Sequence, residues 1–239
     1  MLNPPDIARR LNGVRDRIAD VARRAGRLPA SVRLVAVSKT FPLEAIRAAS
    51  QSGQLDFGEN KIQEAQAKIL AAGSLPLRWH FIGHLQSNKA RKAGALFDVI
   101  HSIDSVDLLR TVDEAVAEKG RHVEVLIQVD LARESTKHGA PESEVPAIIE
   151  AALGCRALRL SGLMMLPPAV ADPADARPYF AAVRDLRERY VAQGVPAANL
   201  TELSMGMSHD FEVAIDEGAT MVRVGTAIFG RRASPAGAA

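Results

Sequence analysis

VRLVAVSKTFP, running from Val32 to Pro42, reads as a strand that ends on a lysine. Val32, Leu34, Ala36 and Ser38 fall on one face of the two-residue repeat, and Arg33, Val35, Val37 and Lys39 on the other. Pro42 cannot extend a ladder and favours a turn, so Lys39 stands at the carboxyl end of the strand, where the chain leaves the sheet. Parallel α/β sheets, open or closed, place their ligands at that end. Taken alone, the stretch more commonly means a surface lysine lying along apolar neighbours. The remainder of the chain decides between the two.

Outward from this strand, RLVAVS, LDFGE, RWHFIG, FDVIHSI, VEVLIQVD, LRLSGLMML, NLTELSM and TMVRVG are strand-like, and segments such as EAIRAAS, NKIQEAQAKILAAG, SVDLLRTVDEAVAEKG and DARPYFAAVRDLRERYVAQG carry helical periodicity. Eight such alternations in roughly 200 residues, with no break in composition, predict a single (β/α)8 TIM barrel, with a Rossmann-like open sheet as the alternative. The barrel is expected over residues 1–232, and the small-residue tail ASPAGAA, residues 233–239, is expected to be flexible. Ahead of the first strand, Ile7, Leu11, Val14, Ile18, Val21 and Ala25 recur at helical spacing, predicting an extra amphipathic helix capped by Asp6 and stopped by Gly26. Its arginines, Arg9, Arg10, Arg15, Arg17, Arg23 and Arg24, read as a solvated face.

Thirty basic and 28 acidic side chains leave a formal charge of +2, which calls for neither nucleic acid nor an anionic membrane. The single cysteine, Cys155, precludes an internal disulfide and is expected to be a buried, inert thiol. The amino terminus resembles neither a signal sequence nor a span, and a soluble, cytoplasmic protein is expected. No metal site is expected, because His80 and His84 on one extended strand would stand about 13 Å apart. Each histidine reads as hydrogen-bonded in place, with His84 bordering the barrel mouth. Trp79, Met164 and Met165 read as core.

Polar residues gather at the strand ends. Lys39 ends the first strand, and Asn60, in FGENK, shares the alternation face of Gly58. The seventh strand runs into LSMGMSHD and the eighth is MVRVGTAIFG, at the two places where barrels commonly build a phosphate site. Ser204, Met205, Gly206, Ser208, Gly225 and Thr226 are therefore candidates to hold a phosphate. Arg223 alternates with Met221 and Gly225, so it is buried; it pairs with Glu202 or contacts a ligand. A desolvated lysine forms a Schiff base with a carbonyl, and pyridoxal 5′-phosphate (PLP) offers an aldehyde, a phosphate and a ring nitrogen to these three groups.

The motifs LVAVSKT, FGEN, WHFIGHLQSNK, ESTKHG, LRLSGLM, LSMGMS and TMVRVGTAIFG, in this order, resemble the pyridoxal phosphate homeostasis protein family, single-domain relatives of the amino-terminal barrel of alanine racemase. The resemblance implies a covalent PLP aldimine on Lys39, Asn60 beside the cofactor, Ser204, Ser208, Gly225 and Thr226 around the phosphate, and Arg223 facing the ring nitrogen, with Met205 also among the cofactor-binding residues. It also makes Lys137 a candidate second lysine for transfer; a loop lysine paired with Glu134 is the other reading. Two positions depart from the family pattern: Lys61 where many members have tyrosine, and Asp130 where they have asparagine.

An arginine cannot surrender its proton, so a ring nitrogen facing it stays unprotonated and is a poorer electron sink. Racemisation needs an acid/base group on each face of the substrate, and the only tyrosines, Tyr179 and Tyr190, fall in a helical segment. The resemblance thus implies a PLP carrier in vitamin B6 homeostasis, with PLP-dependent apoenzymes as recipients and the chain a monomer or weak dimer. The competing readings are a weak amino-acid racemase and a class I aldolase.

Overall fold

In the computed structural model, which describes residues 3–131 and 138–230, the segment VRLVAV is the first stave of a closed barrel. The expected tail at 233–239, Lys137 and Glu134 lie outside the described residues. The barrel strands are β1 (Arg33–Val37), β2 (Asp56–Glu59), β3 (Arg78–Phe81), β4 (Val99–Ile103), β5 (Val123–Asp130), β6 (Leu158–Met164), β7 (Glu202–Met207) and β8 (Met221–Val224). Each pairs in parallel with its neighbours; β1 joins both β2 and β8, and β4 joins β5, so the sheet closes. Closure settles the fold as a barrel and excludes the open sheet. Ala140–Pro141 adds a two-residue bridge beside the end of β5.

Strand alternation divides the side chains into two sets. Outward residues such as Leu34, Ala36, Phe57, Trp79, Phe81, Val125 and Val222 are buried in the layer beneath the helices. Each fully buried valine, leucine or phenylalanine of this kind contributes about 1.5–3 kcal/mol. The inner face carries many polar side chains, and its apolar members include Val35, Val37, Met221 and a small cluster of Val99, Leu126 and Met164. Below that cluster, at the amino-terminal end of the barrel, charged side chains interlock: Arg33 with Glu202 at 3.7 Å, Arg78 with Glu124 at 2.7 Å, and Arg159 also with Glu124. Ion pairs thus plug the lower end of the barrel interior.

The barrel helices are α2 (Leu43–Gln51), α3 (Ile62–Ala72), α4 (Ala90–Leu96), α5 (Val106–Ala117), α6 (Val145–Leu153), α7 (Arg177–Ala192), α8 (Phe211–Asp216) and α9 (Thr226–Phe229). The helix after β8 is only one turn long and cannot cover its share of the sheet. The amino-terminal helix α1 (Pro4–Arg24) packs against α2, α8 and α9, and buries Ile7, Leu11, Val14, Ile18 and Val21. It starts earlier than the sequence pattern predicts: Asn3 is the N-cap and Asp6 lies in the first turn, because Pro4 and Pro5 suit the first helical positions. Gly26, at φ 69°, ends the helix as expected, letting the Arg27 N–H donate to the Ala22 carbonyl. The arginine face is not all solvated, since Arg15 donates to the Ser52 carbonyl at 2.6 Å and Arg17 lies over the Phe211 ring at 4.7 Å. No described helix is long and apolar enough to cross a membrane.

Candidate functional site

At the carboxyl end of the barrel a cavity of about 540 Å³ opens among Lys39, Asn60, His84, Ser208, Arg223 and Thr226. Lys39 is half-buried and stands on a turn held by a buried ionic cluster. Lys68 donates from Nζ to the Ser38 carbonyl at 2.8 Å, to Glu59 Oε1 at 2.7 Å and to Glu64 Oε1 at 2.6 Å. The Ser38 hydroxyl donates to Glu59 Oε1 at 2.7 Å, and the Thr40 N–H donates to Glu64 at 2.5 Å. These bonds hold Thr40 at φ 68°, a conformation that costs a residue with a Cβ about 1–2 kcal/mol. Burial raises the Glu59 pKa above the usual carboxylate value despite Lys68 and Ser38. Burial also acts to raise Glu64, but the bonds from Lys68 and the Thr40 N–H outweigh it and lower its pKa. Phe41, next in the chain, meets the Phe229 ring of α9 at 5.1 Å. The turn is therefore tied to both neighbouring strand ends.

Asn60 follows β2 and borders the cavity, as the alternation predicts. Its backbone passes so close to Gly83 that a Cβ there would lie 2.3 Å from the Asn60 carbonyl oxygen. Across the cavity, the Ser208 hydroxyl accepts from the Gly225 N–H at 3.2 Å and the Ala227 N–H at 3.4 Å, which joins the loops after β7 and β8. Arg223 forms the floor, only 3% exposed. Its Nη1 donates to Ser204 Oγ at 2.5 Å and its Nη2 to the Met165 carbonyl at 2.8 Å. Burial lowers its pKa to about 10, so it remains a cation at neutral pH. No pair with Glu202 forms, because that carboxylate serves Arg33 and Thr220.

The alanine racemase N-terminal domain family matches residues 10–233. A pyridoxal phosphate homeostasis protein of Pseudomonas aeruginosa is 42% identical over 226 residues, covering 95% of this chain and 96% of its own. The chain belongs to that family. A homeostasis protein of Aquifex aeolicus is 41% identical, with 93% of this chain and 97% of that one covered. Among solved structures, PipY of Synechococcus elongatus with PLP bound superposes at a TM-score of 0.83, with 41% identity and coverage of 94% of this chain and 100% of that one. Alanine racemase of Clostridium difficile, at 16% identity and a TM-score of 0.76, shares the fold over 98% of this chain and 59% of its own.

In this homeostasis-family barrel the structure brings Lys39, Asn60, Ser208, Arg223, Gly225 and Thr226 to one cavity, and corrects two expectations. Ser204 does not line it: β7 runs on to Met207, which leaves Ser204 inside the barrel with its hydroxyl committed to Arg223 and His101. Met205 points the other way, into the layer under the helices, and is fully buried there. A bulge explains the offset, since the pairing of β7 with β8 shifts between Ser204 and Met207 around Gly206 at φ 89°.

Gln128, His138 and Met207 also line the cavity; the last two fall within the motifs ESTKHG and LSMGMS, but the sequence pointed to no role for any of the three. His84 does border the mouth, stacked on His138 with centroids 3.6 Å apart and Nδ1 3.7 Å from Asp104. Burial and the neighbouring His138 lower the His84 pKa. Burial raises Asp104 despite the two imidazoles. Lys61 is exposed at the start of α3, Asp130 is half-buried at the end of β5 on the alternation face of Gln128, and neither is among the residues that line the cavity. Cys155 is half-buried rather than buried, with its pKa pushed up to about 11 by burial and Asp113. Tyr179 and Tyr190 stand on α7, away from the cavity wall.

Proposed function

We propose that this protein binds PLP in the cavity at the carboxyl end of the barrel, holds it covalently through Lys39, and passes it to PLP-dependent apoenzymes, so serving intracellular vitamin B6 homeostasis. The single observation that carries the reading is the convergence on one cavity of an amine, a buried guanidinium and a hydroxyl-bridged pair of loops, Lys39, Arg223 and Ser208 with Gly225 and Thr226. PLP needs all three kinds of partner, and the Synechococcus elongatus relative holds PLP. When bound, the group supplies an aldehyde for capture by an amine and a ring that withdraws electrons.

The chain's own residues do the rest. The turn clamped by Lys68 and Glu59 presents the Lys39 side chain to the cavity. Ser208 keeps the last two loops together, and the phosphate is assigned to Ser208, Gly225 and Thr226, without Ser204 and Met205. Arg223 can only donate hydrogen bonds, so it matches an unprotonated ring nitrogen. Racemisation would need a second acid/base group, and neither tyrosine is placed to provide one.

Absorption spectroscopy tests the reading. Protein mixed with PLP should turn yellow, borohydride should fix the label on the Lys39 peptide, and Lys39→Ala should remain colourless. Transfer to an apoenzyme should restore that enzyme's activity. Racemisation of alanine at ordinary enzyme rates would defeat the carrier role, and a colourless protein that traps a phosphorylated sugar under borohydride would replace it with an aldolase.

A further inference from the structure

Beneath Arg223 the barrel interior holds polar side chains that the cavity alone does not explain. His80 and His101 are fully buried, on β3 and β4. Asp56 Oδ1 lies 2.9 Å from His80 Nε2, His80 Nδ1 lies 2.8 Å from His101 Nε2, and His101 Nδ1 lies 2.9 Å from Ser204 Oγ. Ser204 in turn meets Arg223 Nη1 at 2.5 Å. The links form one unbroken chain from the amino-terminal end of the barrel, where Asp56 borders a separate cleft of about 330 Å³, to the floor of the cavity.

Proton counting gives the chain a direction. A guanidinium only donates, so Ser204 Oγ accepts from Arg223 and has one proton to give. That proton goes to His101 Nδ1. A neutral imidazole then carries its own proton on Nε2 and donates to His80 Nδ1; His80 likewise donates from Nε2 to Asp56. Each proton has one acceptor, and the chain ends on a carboxylate. The reverse direction would leave the His80 Nε2 lone pair facing Asp56 and require that carboxyl to be protonated. Opposing this, Asp56 has its pKa lowered: burial acts to raise it, but the bond from His80 and the charges of Arg33 and Arg78 prevail. Burial lowers both histidines, His101 well below its ordinary value, so both rings are neutral.

We infer that Asp56, His80 and His101 are positioning residues: they fix Ser204 as an acceptor toward Arg223 and thereby aim the guanidinium as a donor from the cavity floor. The aim of that donor matters only if the cavity takes a ring acceptor, so the inference rests on the PLP reading. A hydroxyl free to rotate would present its proton to Arg223 part of the time, and the arginine would lose a partner that holds it in plane.

Two measurements test it. In the ligand-free wild-type protein, nitrogen NMR of the imidazoles should show Nε2 protonated and Nδ1 unprotonated on both His80 and His101; a proton on either Nδ1 overturns the inference. With PLP as the probe, His101→Leu and Asp56→Ala should shift the absorption maximum of the bound cofactor and release it about tenfold faster, the factor expected when one charge-assisted hydrogen bond is weakened. His101→Gln, whose amide offers one acceptor and one donor in place of the two ring nitrogens, should keep the wild-type spectrum and release rate. Folded His101→Leu or Asp56→Ala protein with an unshifted spectrum and unchanged release would also overturn the inference. Should the wild-type protein take up no PLP, the functional reading fails, while the nitrogen NMR still decides the direction of the chain.

Discussion

Lowering the pH from about 7.5 to about 5.5 charges His80 and His101 more readily in the unfolded chain than in the fold. Both rings are fully buried and both pKa values lie below the ordinary 6.5, chiefly through burial. A histidine whose folded pKa is depressed leaves the unfolded chain to bind the extra proton, so its contribution to stability is complete above pH 6.5 and is lost as the pH falls below it. A ring that stays neutral in the fold throughout costs about 1.4 kcal/mol between about pH 7.5 and about pH 5.5; His101, well below its ordinary value, meets that condition, and His80 adds in the same direction. Asp56, with its pKa lowered, keeps its contribution above its ordinary 3.8, whereas Glu59 and Asp104, with theirs raised, gain stability as the pH falls and offset part of the loss, so the comparison with a variant isolates the ring. Urea denaturation at a series of pH values measures the loss. His101→Gln removes one titrating ring while keeping the hydrogen bonds, and should cut the loss by about 1.4 kcal/mol. A His101→Gln protein that loses as much stability over this range as the wild type would mean that the His101 ring is charged or accessible in the fold, and the reasoning would fail.

Lys68→Met leaves Glu59 buried beside no cation and should destabilise the protein by about 3–5 kcal/mol in thermal melts near neutral pH, less in acid where Glu59 takes up a proton. Gly162→Ala would press a Cβ to within 1.8 Å of the Glu202 carbonyl oxygen on the adjacent strand, so urea unfolding should show a loss of about 3 kcal/mol or more. Leu11→Ala empties a fully buried site under α1 and should cost about 2–5 kcal/mol by the same assay, without altering the PLP spectrum.

Period and parity made most of this barrel readable before any coordinates. All eight strands lie where alternating runs predicted them, because a strand buried on both sides needs apolar residues outward and leaves a clear two-residue signal. Lys39 and Asn60 were placed correctly by counting along β1 and β2. The same counting failed beyond Ser204. A bulge at Gly206 adds a residue to β7, so Ser204, Met205 and Ser208, which read as one phosphate loop, point to the barrel interior, the outer layer and the cavity. The polar chain through the barrel was hidden for a different reason. Asp56, His80, His101 and Ser204 come from four strands, and nothing local in sequence says that four separate alternations meet. The Lys68 cluster escaped notice likewise, its members reading as ordinary charges on a strand and an amphipathic helix.

The contrast between the two faces of the barrel wall bears on how such a chain can change. Apolar residues under the helices are interchangeable within limits of volume, so substitutions there should be tolerated singly. Inside, the Arg33–Glu202 and Arg78–Glu124 pairs match donor to acceptor between strands, and replacing one member strands the other. Drift on the inward face should therefore proceed by paired replacements, and a library that randomises one inner position at a time should recover far fewer folded proteins than one that randomises facing partners together.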